Sequence, residues 1–258
     1  MGISWSGGAD FSQASGVGNY VLDTLTVPAG NALGPAAMLL VSFAFTTTAN
    51  NPLPVTEVDF VDSGGTEHQV NGNYPIYGFA GGVGRGSSIS PSVSVAGLNG
   101  GGHIRLKGFF GSADTIVGTI VAAIWDGAGA NAFMGNGNSK SLTGGTTSDT
   151  GTGGGYSTSG HKVLNLTGAV AGYSTASPAS APDFTPGASW ANVIGRANGS
   201  LFVGLGIFNG TLPSVFGFPV PYSVSFSTID AGLDSGQLLV ENEECDLGRS
   251  RSFAAIID

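Results

Sequence analysis

The sequence predicts an all-β protein, built as an antiparallel β-sandwich of the jelly-roll or immunoglobulin-like kind. Apolar residues alternate with Ser and Thr along many short segments, and Gly-Gly and Asn-Gly pairs separate these segments. No stretch of ten residues has the apolar spacing and charged face of a surface helix. The chain has 258 residues, of which 41% are hydrophobic, so we expect residues 1–258 to form a single domain with one core.

Period-two alternation predicts half-buried strands along the whole chain. Within residues 103–109, Ile104 and Leu106 should face inward, while His103, Arg105 and Lys107 face outward. The other segments with this pattern are 21–27, 55–61, 89–95, 162–170 and 222–226.

Three runs are almost continuously apolar: 37–45, 115–125 and 201–208. Such runs are typical of central strands that are covered on both faces. A buried helix is the alternative for residues 116–124, but the β-branched residues there favour an extended strand.

Glycine pairs predict the turns between strands, because glycine and asparagine accept the positive φ angles of tight hairpins. The pairs are Gly64-Gly65, Asn71-Gly72, Asn99-Gly100, Asn198-Gly199 and Asn209-Gly210. The glycines of residues 204–210 lack the spacing of a phosphate-binding loop. We interpret them as sites of close packing or a strand bend.

Four segments are predicted to lie outside the regular strands. Residues 1–18 and 247–258 are expected to be extended terminal arms that reach a neighbour. Residues 127–160 form a Gly/Ser/Thr-rich loop or insertion, and residues 173–189 form a second long loop with three prolines. Loops of this length usually have a function of their own.

The charge balance argues against two classes of partner. The net charge is −9, and the eight basic residues are scattered along the sequence, which disfavours nucleic acid and an anionic membrane surface. The N-terminus does not resemble a secretory signal, and the single Cys245 excludes an internal disulfide framework. We therefore expect a protein that is made in a cytosol or enters an assembly.

Candidate catalytic residues are few. His68, His103 and His161 have neither a nucleophile motif nor metal-ligand spacing, and we interpret them as surface or turn residues. The acids around Cys245 should raise the pKa of its thiol and blunt its reactivity. We predict no catalytic residue and no cofactor.

Two hypotheses about ligand binding remain, one for calcium and one for sugars. Acidic residues near the C-terminus could hold calcium, although a solvated strand edge is the interpretation we favour. The candidate ligands are Asp230, Asp234, Glu241 and Glu243. Aromatic residues could stack on sugars, although core or loop-anchor roles are favoured. These candidates are Tyr156, Tyr173 and Trp190.

Four segments carry a resemblance to a known class of protein: 24–30, which reads TLTVPAG, 37–45, 114–129 and 198–210. Together they resemble β-sandwich virion proteins of tailed bacteriophages. The resemblance implies a non-enzymatic capsid decoration, spike or tail protein, assembled from the host cytoplasm into the virion. Its partners would be copies of itself, as a homo-oligomer, and other virion proteins. A carbohydrate-binding or adhesin-type module that recognises host-surface glycan is the alternative.

Overall fold

A computed structural model describes most of the chain as short antiparallel strands. The described residues are 2–29, 38–48, 55–69, 85–94, 101–126, 132–133, 138–142, 148–153, 162–163, 166–174, 177–184, 190–208, 220–227, 236–241 and 243–246. No residue in these ranges is helical, and no helix that could span a membrane occurs among them. The strands are β1 (Gly2–Ser15), β2 (Gly18–Val27), β3 (Met38–Thr47), β4 (Glu57–Asp62), β5 (Glu67–Gln69), β6 (Arg85–Ser94), β7 (Gly102–Phe110), β8 (Asp114–Asp126), β9 (Ala132–Phe133), β10 (Asn138–Leu142), β11 (Ser148–Gly153), β12 (Lys162–Val163), β13 (Leu166–Tyr173), β14 (Trp190–Asn198), β15 (Leu201–Phe208), β16 (Val220–Ser225), β17 (Gly236–Glu241) and β18 (Glu243–Asp246).

These strands form three larger antiparallel sheets. The central sheet has the order β1-β8-β3-β6, the outer sheet β2-β7-β4-β5, and the rear sheet β10-β17-β13-β15-β14. Two small sheets, β11-β16 and β12-β18-β9, complete the described strands. The predicted all-β class with antiparallel pairing is therefore confirmed for the described part of the chain.

A first core fills the space between the central and outer sheets. Alternate residues of β3 and β8 face alternate residues of β2, β4 and β7 across this space, as the two-residue period of a strand requires. Burying each large apolar side chain contributes about 1.5–3 kcal/mol. The largest fully buried members of this core are Phe43, Phe45, Phe60, Phe110, Leu39, Ile104 and Leu106.

A second core lies on the opposite face of the central sheet. Leu40, Ala44, Val121 and Ala123 contact the rear sheet there, and Ser42 Oγ donates a 3.0 Å hydrogen bond to the backbone oxygen of Val170. The rear-sheet members of this core are Ala169, Ala171, Leu201, Val203 and Leu205. Strands β3 and β8 are thus covered on both faces, which confirms the interpretation of their continuous apolar runs.

Strand β15 is also covered twice. Its second face contacts Phe226, whose ring stacks on Phe202 at 5.8 Å, and the segment 177–184. A Cβ at Gly206 would lie 2.5 Å from Phe184 Cγ, so close packing requires glycine there, as predicted.

Two of the predicted hairpin turns fall on described residues, and both are confirmed. Gly65, with φ of 84°, lies between β4 and β5, and Gly199, with φ of 57°, lies between β14 and β15. The Asn71, Asn99 and Asn209 pairs lie outside the described residues.

The expectation of an N-terminal arm at residues 1–18 is corrected by the pairing of β1. Gly2–Ser15 pairs with β8 along its whole length, and Phe11 is buried in the first core. The alternation of apolar and polar residues in this segment is weak, because glycine and serine occupy many positions. The sequence pattern therefore did not predict the strand. The arm predicted at 247–258 lies outside the described residues.

The predicted loop at 127–160 contains three of the short strands. They are β9, β10 and β11, which pair with β18, β17 and β16 respectively. In the second predicted loop, Ala179 and Phe184 are buried, and Asp183 forms an isolated bridge with Ser225. Both segments therefore contribute to the sheets or their cover.

Candidate functional site

The exposed face of the outer sheet carries a row of basic side chains on β7. His103, Arg105 and Lys107 point outward while Ile104 and Leu106 are buried, as the alternation predicted. Arg105 binds Asp23 through two hydrogen bonds of 2.6 and 3.0 Å and Glu67 through one of 2.7 Å. The row is therefore neutralised by acids on both flanking sides.

Lys107 lies among three carboxylates. Its Nζ is 2.9 Å from Glu57 Oε1, 2.6 Å from Asp59 Oδ2 and 2.6 Å from Glu67 Oε2. The carboxylate oxygens lie within 4.8 Å of one another, a spacing that could also suit a metal ion. Because the Lys107 ammonium contacts all three, it offsets part of their negative charge within the chain.

Asp59 is the buried member of this group, with 2% of its side chain exposed. Burial raises its pKa above the ordinary value, because desolvation penalises the charged form. Lys107 lies near Asp59 Oδ2 but outside hydrogen-bond geometry, so this contact is an ion pair. Lys107 opposes this rise in the pKa of Asp59 but does not outweigh it. The hydrogen bond from Lys107 lowers the pKa of Glu57, and hydrogen bonds from Lys107 and Arg105 lower that of Glu67.

The two described histidines also bind acids. His68 Nε2 lies 3.0 Å from Asp62 Oδ2, and this contact, with backbone hydrogen bonds in the turn, lowers the pKa of Asp62. His103 Nε2 lies 3.1 Å from Asp23 Oδ1. Both histidines contact carboxylates at the surface, while His161 lies outside the described residues.

A second surface is formed where edge strands of the three large sheets lie side by side. Among the strands that the structure describes, β2, β1 and β14 are edges of the outer, central and rear sheets, and β1 contacts both β2 and β14. Arg196 of β14 binds Asp10 of β1 through hydrogen bonds of 2.9 and 2.7 Å, which lower the pKa of Asp10.

Apolar side chains along these three edges are only half-buried. They pack against the two cores on one side and remain partly open on the other. We name this set the edge wall: Ile3, Trp5, Ala9, Leu22, Val193 and Ile194. Because β1 contacts β2 and β14, these residues lie on adjoining strands, and apolar residues that stay exposed beside one another mark a surface that a partner can cover.

Two exposed apolar residues adjoin the edge wall on the face of the outer sheet. Val21 is 52% exposed and Phe109 is 48% exposed. Asn19 pairs with Phe109, and Val21 follows two residues later on the same face, so that the two apolar side chains are diagonal neighbours. Val17, in the turn before β2, is 70% exposed.

Of the aromatic residues proposed for a glycan platform, the two that the structure describes, Tyr173 and Trp190, are not both open at the surface. Trp190 is only 5% exposed and packs on Phe184 with ring centroids 5.8 Å apart. This agrees with the core role that the sequence favoured and corrects the alternative sugar-stacking role of Trp190. Tyr173 is half-buried against the second core. Tyr156 lies outside the described residues.

The two predicted calcium ligands that the structure describes, Glu241 and Glu243, lie on different strands. Glu241 ends β17, which pairs with β10 and β13, whereas Glu243 begins β18, which pairs with β9 and β12. Asp230 and Asp234 lie outside the described residues. Cys245 pairs with Val163 in β18 and β12.

Sequence reasoning missed the edge wall and the carboxylates around Lys107. The alternation of residues 55–61 did contain a signal, because it places Glu57 and Asp59 on the same face.

Comparisons with protein families, curated proteins and solved structures find no match to this chain.

Proposed function

We propose that this chain is a non-enzymatic structural subunit of a virus particle, such as a capsid decoration, spike or tail protein. It would act through contacts with copies of itself and with other particle proteins. The observation that carries the proposal is the edge wall, whose partly buried apolar residues lie on adjoining edge strands of the three large sheets.

The chemistry of the wall suits association. Interfaces combine an apolar centre with a polar rim, and the wall lies beside Asn19, Asp23 and the Asp10–Arg196 ion pair. A rigid stack also suits a structural subunit, because the central sheet is fixed by cores on both faces. Symmetric assembly is the usual outcome when identical subunits share such a surface.

The attribution to a virus particle comes from the sequence resemblance. Its segments fall on described strands β2, β3, β8 and β15, which form parts of all three large sheets. We further propose that the face-to-face outer and central sheets are a sandwich of the jelly-roll or immunoglobulin-like kind, with the rear sheet as an addition.

The glycan-binding alternative has less support from the described residues. Trp190, which would be central to a sugar platform, is buried. A ring face must be open to stack on a sugar.

The test combines solution mass with particle imaging. Sedimentation of the purified protein should give one defined oligomer, and mass spectrometry of purified particles should detect the chain at a fixed copy number. Cryo-electron microscopy should then place it in a repeated contact. A stable monomer that is absent from particles and binds glycans on an array would refute the proposal.

A further inference from the structure

We propose that the edge wall is covered by a second copy of this chain, whose β2 pairs antiparallel with the β2 of the first around a two-fold axis at Val21. This contact deepens the function proposed above and rests on it. It would join two four-stranded outer sheets into one continuous sheet.

The outer edge of β2 has no strand partner among the described residues. In the described ranges, β2 pairs with β7 on one side and with no strand on the other. The side chains agree, since Leu22 points toward the core but is only half-buried, and Val21 is 52% exposed. An open edge with half-covered apolar residues can be completed by strand addition.

The sequence of β2 is self-complementary about Val21. Residues directly opposite in an antiparallel pair share a face, so the axis must keep outward residues opposite outward residues. With the axis at Val21, the two Val21 side chains meet and Asn19 lies opposite Asp23 of the second copy. Moving the axis by one residue would place Val21 opposite either Asn19 or Asp23, and the apolar contact would be lost.

The charges also fit this register. The Asn19 amide can donate a hydrogen bond to the carboxylate of Asp23 in the second copy, and Asp23 is half exposed. The two Asp23 residues would lie four positions apart along the strand, about 14 Å at about 3.4 Å per residue. This separation exceeds the screening length of about 8 Å at physiological salt.

A bulge limits the extent of the pairing. The register of β2 against β7 shifts between Asp23 and Thr26, and a bulge twists an edge strand away from further partners. Pairing about Val21 would use the straight part that ends at this bulge. Because the two-fold contact uses the same edge of both copies, it closes as a pair instead of continuing into a fibre.

Cysteine cross-linking tests the register. In a Cys245→Ser background, Val21→Cys should form a disulfide-linked dimer under mild oxidation, because directly opposite Cβ atoms lie about 4.5–5.5 Å apart, close to disulfide range. Val17→Cys is the control: Val17 is more exposed, at 70%, but the two copies of this residue would be about 27 Å apart. A cross-link from both positions, or from neither, would overturn the register.

Charge insertion tests the contact without cross-linking. Val21→Lys places two like charges opposite each other and should weaken dimerisation at least about tenfold in sedimentation equilibrium. Phe109→Lys is the matched control, because Phe109 has similar exposure on the same sheet face but lies on the interior strand β7. It should leave the dimer intact, and thermal melts should show both variants folded. Equal dimerisation of wild type and Val21→Lys would refute the contact.

The two proposals can fail separately. If Val21→Cys does not cross-link while Val21→Lys still enters particles at the wild-type copy number, the β2 contact is wrong and the structural role survives. If the cross-link forms in solution but the chain is absent from particles, the structural role is wrong and the β2 contact survives.

Discussion

Replacing Lys107 by methionine should destabilise the fold, because the buried carboxylate of Asp59 then loses its ion-pair partner. Methionine keeps most of the aliphatic stem but removes the ammonium that lies 2.6 Å from Asp59 Oδ2. Removing one partner of a buried ion pair costs about 3–5 kcal/mol. Since 24% of the Lys107 side chain is exposed, water screens part of the charge, and we expect a loss of about 2–3 kcal/mol.

Thermal melting and chemical denaturation measure this loss. At about 2–4 °C per kcal/mol for a chain of this size, the Tm should fall by roughly 5–10 °C. Adding Asp59→Asn to the Lys107→Met variant should recover much of the loss, because it removes the unpaired buried charge.

Arg105→Met is the matched control for Lys107→Met. Arg105 is on the same strand with similar exposure, 22% against 24%, but its partners Asp23 and Glu67 are 50% and 39% exposed. Those carboxylates can be solvated when Arg105 is removed, so the loss should be clearly smaller. Equal losses for the two variants would refute the reasoning that burial of Asp59 sets the cost.

Three further predictions concern the same fold. Denaturation measurements should show that the free energy of unfolding falls as the pH drops below about 4. Several acids have a lower pKa in the folded protein than in the unfolded chain, so their charged forms stabilise the fold above the unfolded-state pKa. This stability is lost as the pH falls through their folded-state pKa. The raised pKa of Asp59 has the opposite sign, so Asp59→Asn should improve stability above that pH range. A flat profile of the Asp59→Asn variant from pH 6 to 3 would contradict the first statement, and equal stability of this variant and wild type at pH 7 would contradict the second. Gly206→Ala should cost about 1–3 kcal/mol through overpacking against Phe184, and Gly16→Ala, where an added Cβ meets nothing within 4 Å, should leave the Tm unchanged. Arg196→Met should lower the free energy of unfolding by at most about 1 kcal/mol, since the Arg196 and Asp10 side chains are 36% and 43% exposed. A larger loss would contradict the inference that exposure keeps this ion pair weak. The acids with lowered pKa are Asp10, Asp23, Glu57, Asp62 and Glu67.

Sequence patterns predicted the local structure well where burial sets the pattern. The alternation along β7 placed Arg105 and Lys107 outward, and the continuous apolar runs identified β3 and β8 as doubly covered strands. Strand β1 escaped prediction because its residues are small: a Cβ at Gly7 would lie 2.6 Å from the Trp5 ring. Here the space beside the strand, which the sequence does not show, decides which residue fits.

The pairing of distant charges was beyond sequence reasoning. Lys107 contacts Glu57 and Glu67, which are 50 and 40 residues away in the sequence and lie on other strands. Alternation fixes which face a charge occupies, but the order of strands in the sheet determines its neighbours. That order depends on the long-range packing of both cores, so the cluster around Lys107 could be predicted only as an exposed face.

The position of the edge wall follows from connectivity more than from any local pattern. Only Gly16 and Val17 separate β1 from β2, so the chain must pass from the edge of the central sheet to the edge of the outer sheet on the same side. The Asp10–Arg196 pair then links the edge of the rear sheet to β1. Three edges are thereby brought to one side by one tight turn and one ion pair, and their apolar residues, each unremarkable in sequence, become one surface. Because the turn is covalent, the β1 and β2 edges should stay adjacent even when the ion pair is removed, which makes β2 the part of the wall most suited to a fixed contact.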